Sequence, residues 1–406
     1  MKKSLFALLI VGITCSFCHK ESNGTETPDP IIKDTVVQYP YEKFCMGADL
    51  SYVNQILDHG GVFKDSGITK NPYKIFKDHG TNLVRVRIWN NPAWTKDPYG
   101  TAGTQLYSDL RDVEKTIRNA REHGMAVNLD FHYSDIWADP GNQKVPAAWK
   151  EIKDTSVLKD SVYNFTFKTL QYLNSKGLMP EMVQIGNEIN CGLFYSEAPA
   201  GFPSLSCCNG NWKELGAVLN AGIKAVRAVS NVSSIKTKIM LHVADPKNVE
   251  WWFDNIMSQA KVTDFEVIGF SYYPFWHTTV SFNDLGTKVS AFKNKYKRQV
   301  MIAEVAYPWS TSGNDSYNNA FGSQPPVSGY PFTIDGQYNF MVALTQKVIS
   351  AGGSGIMYWE PAWITSQMKD LWGTGSSWEN ATFFDFAGNT IKGINYMNYK
   401  YIFPIQ

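Results

Sequence analysis

The sequence predicts a single (β/α)₈ barrel, because short apolar runs alternate regularly with amphipathic segments along most of its length. From about residue 41 to residue 406 the composition shows no break, repeat or linker, so we expect one domain over 41–406. The chain is 44% hydrophobic, which is enough to bury a large core. An open, doubly wound sheet is the alternative, but no glycine-rich phosphate loop follows the first apolar run.

Eight apolar runs are the predicted strands of this barrel. They are residues 45–50, 82–88, 126–131, 182–186, 238–242, 267–272, 300–304 and 355–359. The segments between them have helical periodicity. In residues 108–123, for example, Leu110, Val113, Ile117 and Ala120 follow one another at spacings of three and four. Eight β–α alternations of this kind favour a closed parallel barrel.

The first 18 residues are predicted to be a secretory or lipoprotein signal. Lys2 and Lys3 precede an apolar run over 5–13, which is too short to span a membrane. Either Cys15 or Cys18 is a candidate for lipidation, and cleavage without lipidation is the alternative. We therefore expect a secreted or cell-surface lipoprotein of a bacterium, with membrane contact only through that anchor.

Residues 19–40 are polar and contain Pro28, Pro30 and Pro40, which predicts a flexible tether before the barrel domain. Four other cysteines follow, and their spacing is not that of a zinc site. A disulfide that joins Cys191 to Cys207 or Cys208 is possible in an oxidising compartment, and the sequence leaves the pairing open.

The charge balance and the aromatic content indicate an uncharged ligand. Lys plus Arg is 38 and Asp plus Glu is 37, so the net charge of +1 does not indicate binding of nucleic acid. The 13 Trp and 21 Tyr supply a large core and also platforms on which sugar rings stack. We expect a monomer that binds a carbohydrate.

Polar residues recur at the C-terminal ends of the predicted strands, where active sites of such barrels lie. They are Asp49, Arg87, His132, Asn187, Glu188, His242, Asp245, Tyr273, Glu304 and Glu360. A single carboxylate at a strand end is most often a solvated loop residue. Two carboxylates that follow the apolar runs VQIGN and VMIA, amid other polar strand ends, indicate a shared pocket.

Glu188 and Glu304 are therefore the candidate catalytic pair of a retaining glycosidase, which needs two carboxyls about 5–5.5 Å apart. Arg85 and Arg87 should point to the same face of the second strand. We prefer Arg87 as the residue that holds the nucleophile ionised, because it is nearer the strand's C-terminal end. Tyr273 is expected to donate a hydrogen bond to the nucleophile.

Eight short motifs together resemble glycoside hydrolase family 53, the endo-β-1,4-galactanases. They are GADLS at 47–51, RVRIW at 85–89, DFHYSD at 130–135, WADPG at 137–141, GNEI at 186–189, SYYPFW at 271–276, AEVAYPW at 303–309 and YWEPAW at 358–363. The resemblance covers roughly 41–400. It implies a barrel of the retaining glycosidase clan and internal cleavage of β-1,4-galactan, as in type I arabinogalactan. It also implies Glu188 as the acid/base and Glu304 as the nucleophile.

Residues at or near the strand ends are expected to bind the sugar or to support the catalytic pair. They are Asp49, Arg87, Trp89, His132, Asp135, Trp137, Asn187, His242, Tyr273, Trp276, Trp309, Trp359 and Trp363. Asn187 is the candidate for the sugar 2-hydroxyl. Of the six tryptophans, two or three are expected to stack on sugar and the others to pack in the core.

Bacterial relatives in this family often hold calcium in the loop after the seventh strand, but here Asp315 is the only acid in residues 312–319. We predict no required cofactor, and a structural calcium at Asp315 is the alternative. Two alternatives to the galactanase also stay open: a retaining barrel hydrolase that acts on mannan, xylan or β-glucan, and a surface glycan-binding protein without activity.

Overall fold

The computed structural model describes residues 37–404. The predicted signal over 1–18, and the predicted tether as far as residue 36, lie outside the described residues. Tyr39, near the end of that tether, is packed: its hydroxyl donates to the Tyr399 carbonyl (2.7 Å) and accepts from the Tyr401 N–H (2.8 Å). The packed domain therefore includes Tyr39, and its start lies before residue 41.

Eight parallel strands form a closed barrel in sequential order, and β8 pairs with β1 to close it. They are β1 (Cys45–Asp49), β2 (Leu83–Ile88), β3 (Ala126–Phe131), β4 (Met182–Ile185), β5 (Lys238–Ala244), β6 (Val267–Ser271), β7 (Gln299–Val305) and β8 (Gly355–Tyr358). All eight predicted strands are confirmed, and no end differs from its prediction by more than two residues.

The described residues also form eight α-helices, which lie between consecutive strands. They are α1 (Val53–Asp58), α2 (Pro72–Asp78), α3 (Leu110–Glu122), α4 (Thr155–Ser175), α5 (Trp212–Val232), α6 (Val249–Ser258), α7 (Leu285–Tyr296) and α8 (Ile334–Ser350). The periodicity predicted for α3 is confirmed, because Val113, Ile117 and Ala120 are buried. No helix in residues 37–404 is both long and apolar enough to cross a membrane.

The barrel interior changes from apolar to polar along its axis. A buried apolar layer at the N-terminal end contains Cys45, Leu83, Met182, Met240, Val267, Met301 and Met357. Further along the strands, Arg85, Asp130, Gln184, His242 and Glu304 are buried polar residues. Burying so many polar groups is unfavourable unless they pair with one another, so the C-terminal end is a network rather than a packed core.

A β-bulge in β7 turns Glu304 towards the barrel axis. Met301 and Ala303 belong to the interior apolar cluster, so regular alternation would point Glu304 outwards. On the β6 side, Phe270 pairs with Ile302 and the next residue, Ser271, pairs with Glu304. The extra residue in β7 shifts the alternation by one, as bulges next to active sites commonly do.

Candidate active site

A cleft of about 320 Å³ opens at the C-terminal ends of the strands. Its lining residues are Asp49, Arg85, Arg87, His132, Trp137, Ala138, Asp139, Pro140, Asn187, Glu188, Ala244, Tyr273, Trp276, His277, Glu304, Trp359 and Trp378. The two glutamates selected from the sequence therefore share one cleft, although 304 − 188 = 116 positions separate them in the chain.

Glu188 is held in a conformation that L-amino acids rarely adopt. Its φ is +48°, and Tyr133, Asp245 and Glu360 also have positive φ just after their strands. Such strained residues persist only where the surroundings fix them, and they cluster at functional sites. Four strand ends at the same rim share this feature, which supports the location of the site.

The chain after Glu188 is tied firmly to β5. The Ile189 N–H donates to the His242 carbonyl (3.0 Å), and Asn190 exchanges side-chain hydrogen bonds with the Ala244 backbone at 2.8 and 2.7 Å. A disulfide between Cys191 and Cys208, with Cα atoms 5.0 Å apart, closes the following loop. This settles the pairing that the sequence left open, and Cys207 is a buried free thiol.

The carboxyl of Glu188 lies in surroundings that favour its protonated form. The side chain is buried, and the hydrogen bond that its Oε1 accepts from the Ser271 hydroxyl opposes the effect of burial on its pKa only in part. Burial, with the nearby Glu304 carboxylate as a second cause, raises the pKa of Glu188 well above its usual range. A carboxyl of this kind is suited to donate a proton at neutral pH.

The carboxyl of Glu304 has different partners. Its Oε1 accepts from Arg85 Nη1 (2.8 Å) and its Oε2 accepts from the Tyr273 hydroxyl (2.9 Å). Burial raises the pKa of Glu304 to about 7, while the Arg85 guanidinium and the Tyr273 hydrogen bond oppose that rise. Two charge-stabilising donors therefore favour the ionised form of Glu304 relative to Glu188.

The prediction that Arg87 holds the nucleophile ionised is wrong, because Arg85 occupies that position. Arg85 also donates to Asp49 (2.9 Å), Asp130 (2.7 Å) and Asn187 (2.8 Å). Both arginines face the interior, as predicted. The backbone of Arg85 lies two residues further than that of Arg87 from the C-terminal end of β2. Its long side chain extends along the barrel axis and reaches the carboxylates of Glu304 and Asp49.

Arg87 instead pairs with Glu360, whose carboxylate accepts from Arg87 Nη1. Its guanidinium lies 4.1 Å from the ring centroids of both Tyr52 and Trp137. Arg87 lines the cleft and supports Trp137 from below by this cation–π contact. Its role in the cleft is thus to hold an aromatic wall and to neutralise a buried carboxylate.

Two other predicted residues, Asn187 and His132, line the cleft with their orientations fixed by neighbours. The Asn187 side chain donates to the Ala138 carbonyl (2.7 Å). His132 Nδ1 accepts from Trp89 Nε1 (3.1 Å) and from the Ala138 N–H (3.2 Å). His132 therefore carries its proton on Nε2 when neutral. Trp89 is buried and acts through this histidine rather than on the cleft wall.

The structure divides the predicted aromatic residues into two groups. Trp137, Trp276 and Trp359 line the cleft. Trp309 packs on Phe386 with ring centroids 4.8 Å apart, and the buried Trp363 donates its Nε1–H to the Gly375 carbonyl (3.0 Å). Neither of these two lines the cleft.

Asp135 and Asp245 also lie away from the cleft lining. Asp135 accepts hydrogen bonds from the backbone N–H groups of Asn91 (2.8 Å) and Ala147 (2.7 Å), so it joins two loops of the rim. Asp245 caps the short turn after β5, where its carboxylate accepts from the Lys247 N–H (3.0 Å).

Four cleft residues were not singled out from the sequence as site residues: Arg85, Asp139, His277 and Trp378. Neither was Ser271, which is fully buried and contacts Glu188. Ser271 ends β6, so its strand-end position was the available signal, but a serine there is unremarkable. Trp378 lies in the long segment after β8, where no periodicity indicates its direction. Among the described residues the indole N–H of Trp378 is buried without a hydrogen-bond partner, although the residue lines the cleft.

The loop proposed for calcium uses its carboxylate on backbone amides. Asp315 Oδ1 accepts from the Tyr317 N–H (2.8 Å) and Oδ2 accepts from the Ser376 N–H (2.9 Å). Over residues 37–404 no three His, Cys, Asp or Glu side chains group as metal ligands. Calcium prefers six to eight oxygen ligands, whereas both oxygens of this carboxylate accept from backbone N–H groups.

Comparisons with known proteins agree with the fold and show the family. The sequence model of Glycosyl hydrolase family 53 matches residues 45–397. An arabinogalactan endo-β-1,4-galactanase of Cellvibrio japonicus is 42% identical over 84% of this chain and 86% of its own length. An endo-β-1,4-galactanase of Bacillus subtilis is 30% identical over 98% of this chain and 96% of its own.

A solved structure gives the same result. The GH53 catalytic domain of Ignisphaera aggregans superposes with a TM-score of 0.78 at 32% identity, and the match covers 92% of this chain and all of that one. The family match includes all eight strands, from β1 to the long segment that follows β8. The chain therefore belongs to glycosyl hydrolase family 53, and it is a glycoside hydrolase.

Proposed function

We propose that this enzyme cuts β-1,4-galactosidic bonds within pectic galactan and type I arabinogalactan, with retention of anomeric configuration. The two curated relatives described above bear galactanase names and align over most of their length. The observation that carries the mechanism is the asymmetry of the glutamates. Of these two residues, only Glu304 accepts hydrogen bonds from Arg85 and Tyr273, whereas Glu188 accepts from a single neutral donor, Ser271.

In the first step the Glu304 carboxylate attacks the anomeric carbon and forms a covalent galactosyl ester. At the same time the Glu188 carboxyl gives its proton to the glycosidic oxygen, and the bond to the leaving sugar breaks. In the second step Glu188, now a carboxylate, takes a proton from water. The resulting oxygen nucleophile attacks the same carbon, and the ester bond to Glu304 breaks.

The charges below the cleft favour the transition state of both steps. Arg85 is one cation among three buried carboxylates, those of Asp49, Asp130 and Glu304. The local field is therefore negative, and it stabilises the positive charge that develops on an oxocarbenium-like sugar ring.

The aromatic wall suits a neutral sugar chain. Trp137 and Trp359 have ring centroids 5.6 Å apart, and Trp359 lies 4.6 Å from Trp378. Trp276, on the β6 side, is 46% exposed and is available to a ligand. We propose that these four residues contact the galactosyl units on either side of the cleaved bond.

The test is a time course of products from linear β-1,4-galactan, with mannan, xylan and β-glucan as parallel substrates. We expect internal cuts that give short oligosaccharides, and NMR should show the β-anomer of the new reducing end first. Cleavage of another polysaccharide without cleavage of galactan would identify a different substrate. Tight galactan binding without any cleavage would indicate a binding protein.

We also propose export to the cell surface or medium, with lipidation at Cys15 or Cys18. The charged and apolar N-terminal residues support it. Labelling with radioactive palmitate in a bacterial host should mark the wild-type chain and fail in whichever of Cys15→Ser and Cys18→Ser removes the lipid site. Equal labelling of both variants and the wild type, or release of unlabelled protein, would contradict lipidation at these two positions.

A further inference from the structure

A chain of buried side chains extends from Glu188 across β6 to β5 and β4. The Ser271 hydroxyl donates to Glu188 Oε1, and Ser271 Oγ lies 2.9 Å from Nε2 of His242. On the far side, Gln184 Nε2 is 3.0 Å from His242 Nδ1. Ser271, His242 and Gln184 have no exposed surface, so solvent does not compete for these bonds.

The Ser271 hydroxyl has one proton, so it donates either to Glu188 or to His242. If it donates to Glu188, neutral His242 carries its proton on Nε2, and this N–H donates a hydrogen bond to Ser271 Oγ. If it donates to His242, the imidazole proton must lie on Nδ1, which is 2.9 Å from Asn187 Oδ1. These two arrangements exclude each other.

The surroundings of His242 favour the first arrangement. Burial lowers the pKa of His242 well below its usual range, with the Arg85 charge as the next cause, so the ring carries one proton. Asn187 Oδ1 already accepts from Arg85 (2.8 Å) and Gln184 (3.0 Å), which occupies both of its lone pairs. The Glu188 backbone N–H donates to Nδ1 (3.4 Å), and the Gln184 amide nitrogen lies 3.0 Å from it, so Nδ1 accepts and Nε2 donates.

We infer that Ser271 and His242 are positioning residues for the acid/base: His242 fixes the Ser271 hydroxyl so that its proton always points at Glu188. The hydrogen bond is stronger when Glu188 is ionised. It therefore stabilises the carboxylate that must act as general base in the second step. This inference rests on the proposed function, because it assigns Glu188 both roles.

Several other charged or titratable groups lie against Glu188 or share its cleft. They are Asp49 from β1, Arg85 and Arg87 from β2, His132 and Asp139 from the segment after β3, Tyr273 and His277 from the segment after β6, and Glu304 from β7. Ser271→Ala leaves all of them in place. A change in the ionisation of Glu188 in this variant is therefore attributable to the lost donor.

The first experiment compares pH profiles of kcat/KM for wild type and Ser271→Ala on galacto-oligosaccharides. Activity needs protonated Glu188, so the alkaline limb reports its pKa. Without the Ser271 donor the carboxylate is less stable, its pKa rises, and the alkaline limb should move to higher pH by about one unit. The acid limb, which reports Glu304, should stay in place.

Two variants separate this effect from a loss of stability. Ser271→Thr keeps the hydroxyl and should keep the wild-type alkaline limb. Ser230→Ala removes another buried hydroxyl, which accepts from the Thr237 N–H (2.9 Å) just before β5, at the opposite end of the barrel. It should lower the melting temperature without moving either limb. An unmoved alkaline limb in Ser271→Ala would overturn the inference.

A double variant tests whether His242 acts through Ser271. His242→Ala alone should move the alkaline limb upwards by less than Ser271→Ala does, because the hydroxyl remains but rotates freely. In Ser271→Ala/His242→Ala the shift should equal that of Ser271→Ala alone. Additive shifts would show that His242 acts by another path and would overturn the proposed order of action.

A measurement independent of turnover keeps this inference distinct from the proposed function. In Glu304→Gln protein labelled with ¹³C-glutamate, the side-chain signal of Glu188, assigned by Glu188→Gln, can be titrated directly by NMR. Ser271→Ala should raise its pKa, and an unchanged pKa would overturn the inference whatever the substrate is. Failure of the wild type to cut galactan would contradict only the proposed function.

Discussion

The surroundings of Glu188 and Glu304 differ although the two residues are chemically identical. Glu188 follows β4 in a left-handed conformation and receives one hydroxyl donor. Glu304 lies within β7, turned inwards by a bulge, and receives a guanidinium and a phenol. The fold thus separates an acid from a nucleophile by the partners that each strand end provides, not by the choice of residue.

The two arginines of β2 also have different partners although they are chemically identical. Arg85 joins three carboxylates and Asn187, whereas Arg87 pairs with Glu360 between aromatic rings. Two residues apart in one strand, they face the same interior but serve different parts of the cleft. Position along the barrel axis decides the role, and the predictions below test each side of the comparison.

Glu304→Ala should have the largest effect. It removes the atom that forms the covalent intermediate, so kcat on galactan should fall on the order of 10⁴-fold or more. The barrel should stay folded, because the shortened side chain also relieves one buried charge. Activity and circular dichroism check this together. Turnover like that of the wild type in a folded variant would remove Glu304 from the mechanism.

Glu188→Ala should slow galactan cleavage by about 10²- to 10⁴-fold, the range for loss of a general acid. An aryl β-galactobioside with a good leaving group needs no protonation, so its first step should survive and the ester on Glu304 should accumulate. Added azide should then restore turnover and give the β-galactobiosyl azide. An α-azide product would instead show that Glu188, the residue removed, is the nucleophile, and would contradict the roles given to the two glutamates.

Arg85→Met and Arg87→Met form a matched pair for the second comparison. Loss of Arg85 leaves three carboxylates without their cation, so kcat/KM should fall by about 10³-fold and stability by about 3–5 kcal/mol. Burial raises the pKa of Glu360 to about 8, so this residue can take up a proton when Arg87 is lost. Arg87→Met should therefore lower kcat/KM only about tenfold, and it should lower the free energy of unfolding by less than Arg85→Met does. Kinetics and urea unfolding measure the two quantities. Equal losses in the two variants would contradict their different roles.

Tyr273→Phe removes a hydrogen-bond donor from Glu304. It should move the acid limb of the pH profile, whereas Ser271→Ala moves the alkaline limb. Glu304 must be ionised to attack, so activity is lost as pH falls through its pKa. Without the phenol that pKa rises further, and the acid limb should move up by about one pH unit. The alkaline limb should not move. A shift of both limbs together would mean that the glutamates do not titrate separately enough to assign.

The fold was predictable because its signal is repetitive, whereas the site depends on single irregularities. Each strand appears as a short apolar run. Because there are eight such runs, an error of one or two residues at a strand end does not change the predicted barrel. The direction of Glu304 depends on one extra residue in β7, which alternation counted from Met301 does not show. The choice between Arg85 and Arg87 depends on reach along the axis, and both positions satisfy the alternation equally. Trp378 comes to the cleft from a long segment without periodicity.

A third carboxylate, that of Asp315, extends the comparison to a purely structural role. Both of its oxygens accept backbone N–H groups, one from Tyr317 in its own loop and one from Ser376 in the segment after β8. Asp315→Ala should therefore lower stability by about 1–3 kcal/mol through two unpaired amides, with a small effect on kcat. Because the carboxylate is already occupied, dialysis against EDTA should change neither the melting temperature nor activity. A melting temperature that rises with added calcium, and does so only when Asp315 is present, would show that the loop rearranges to bind the ion and would contradict this reading of its hydrogen bonds.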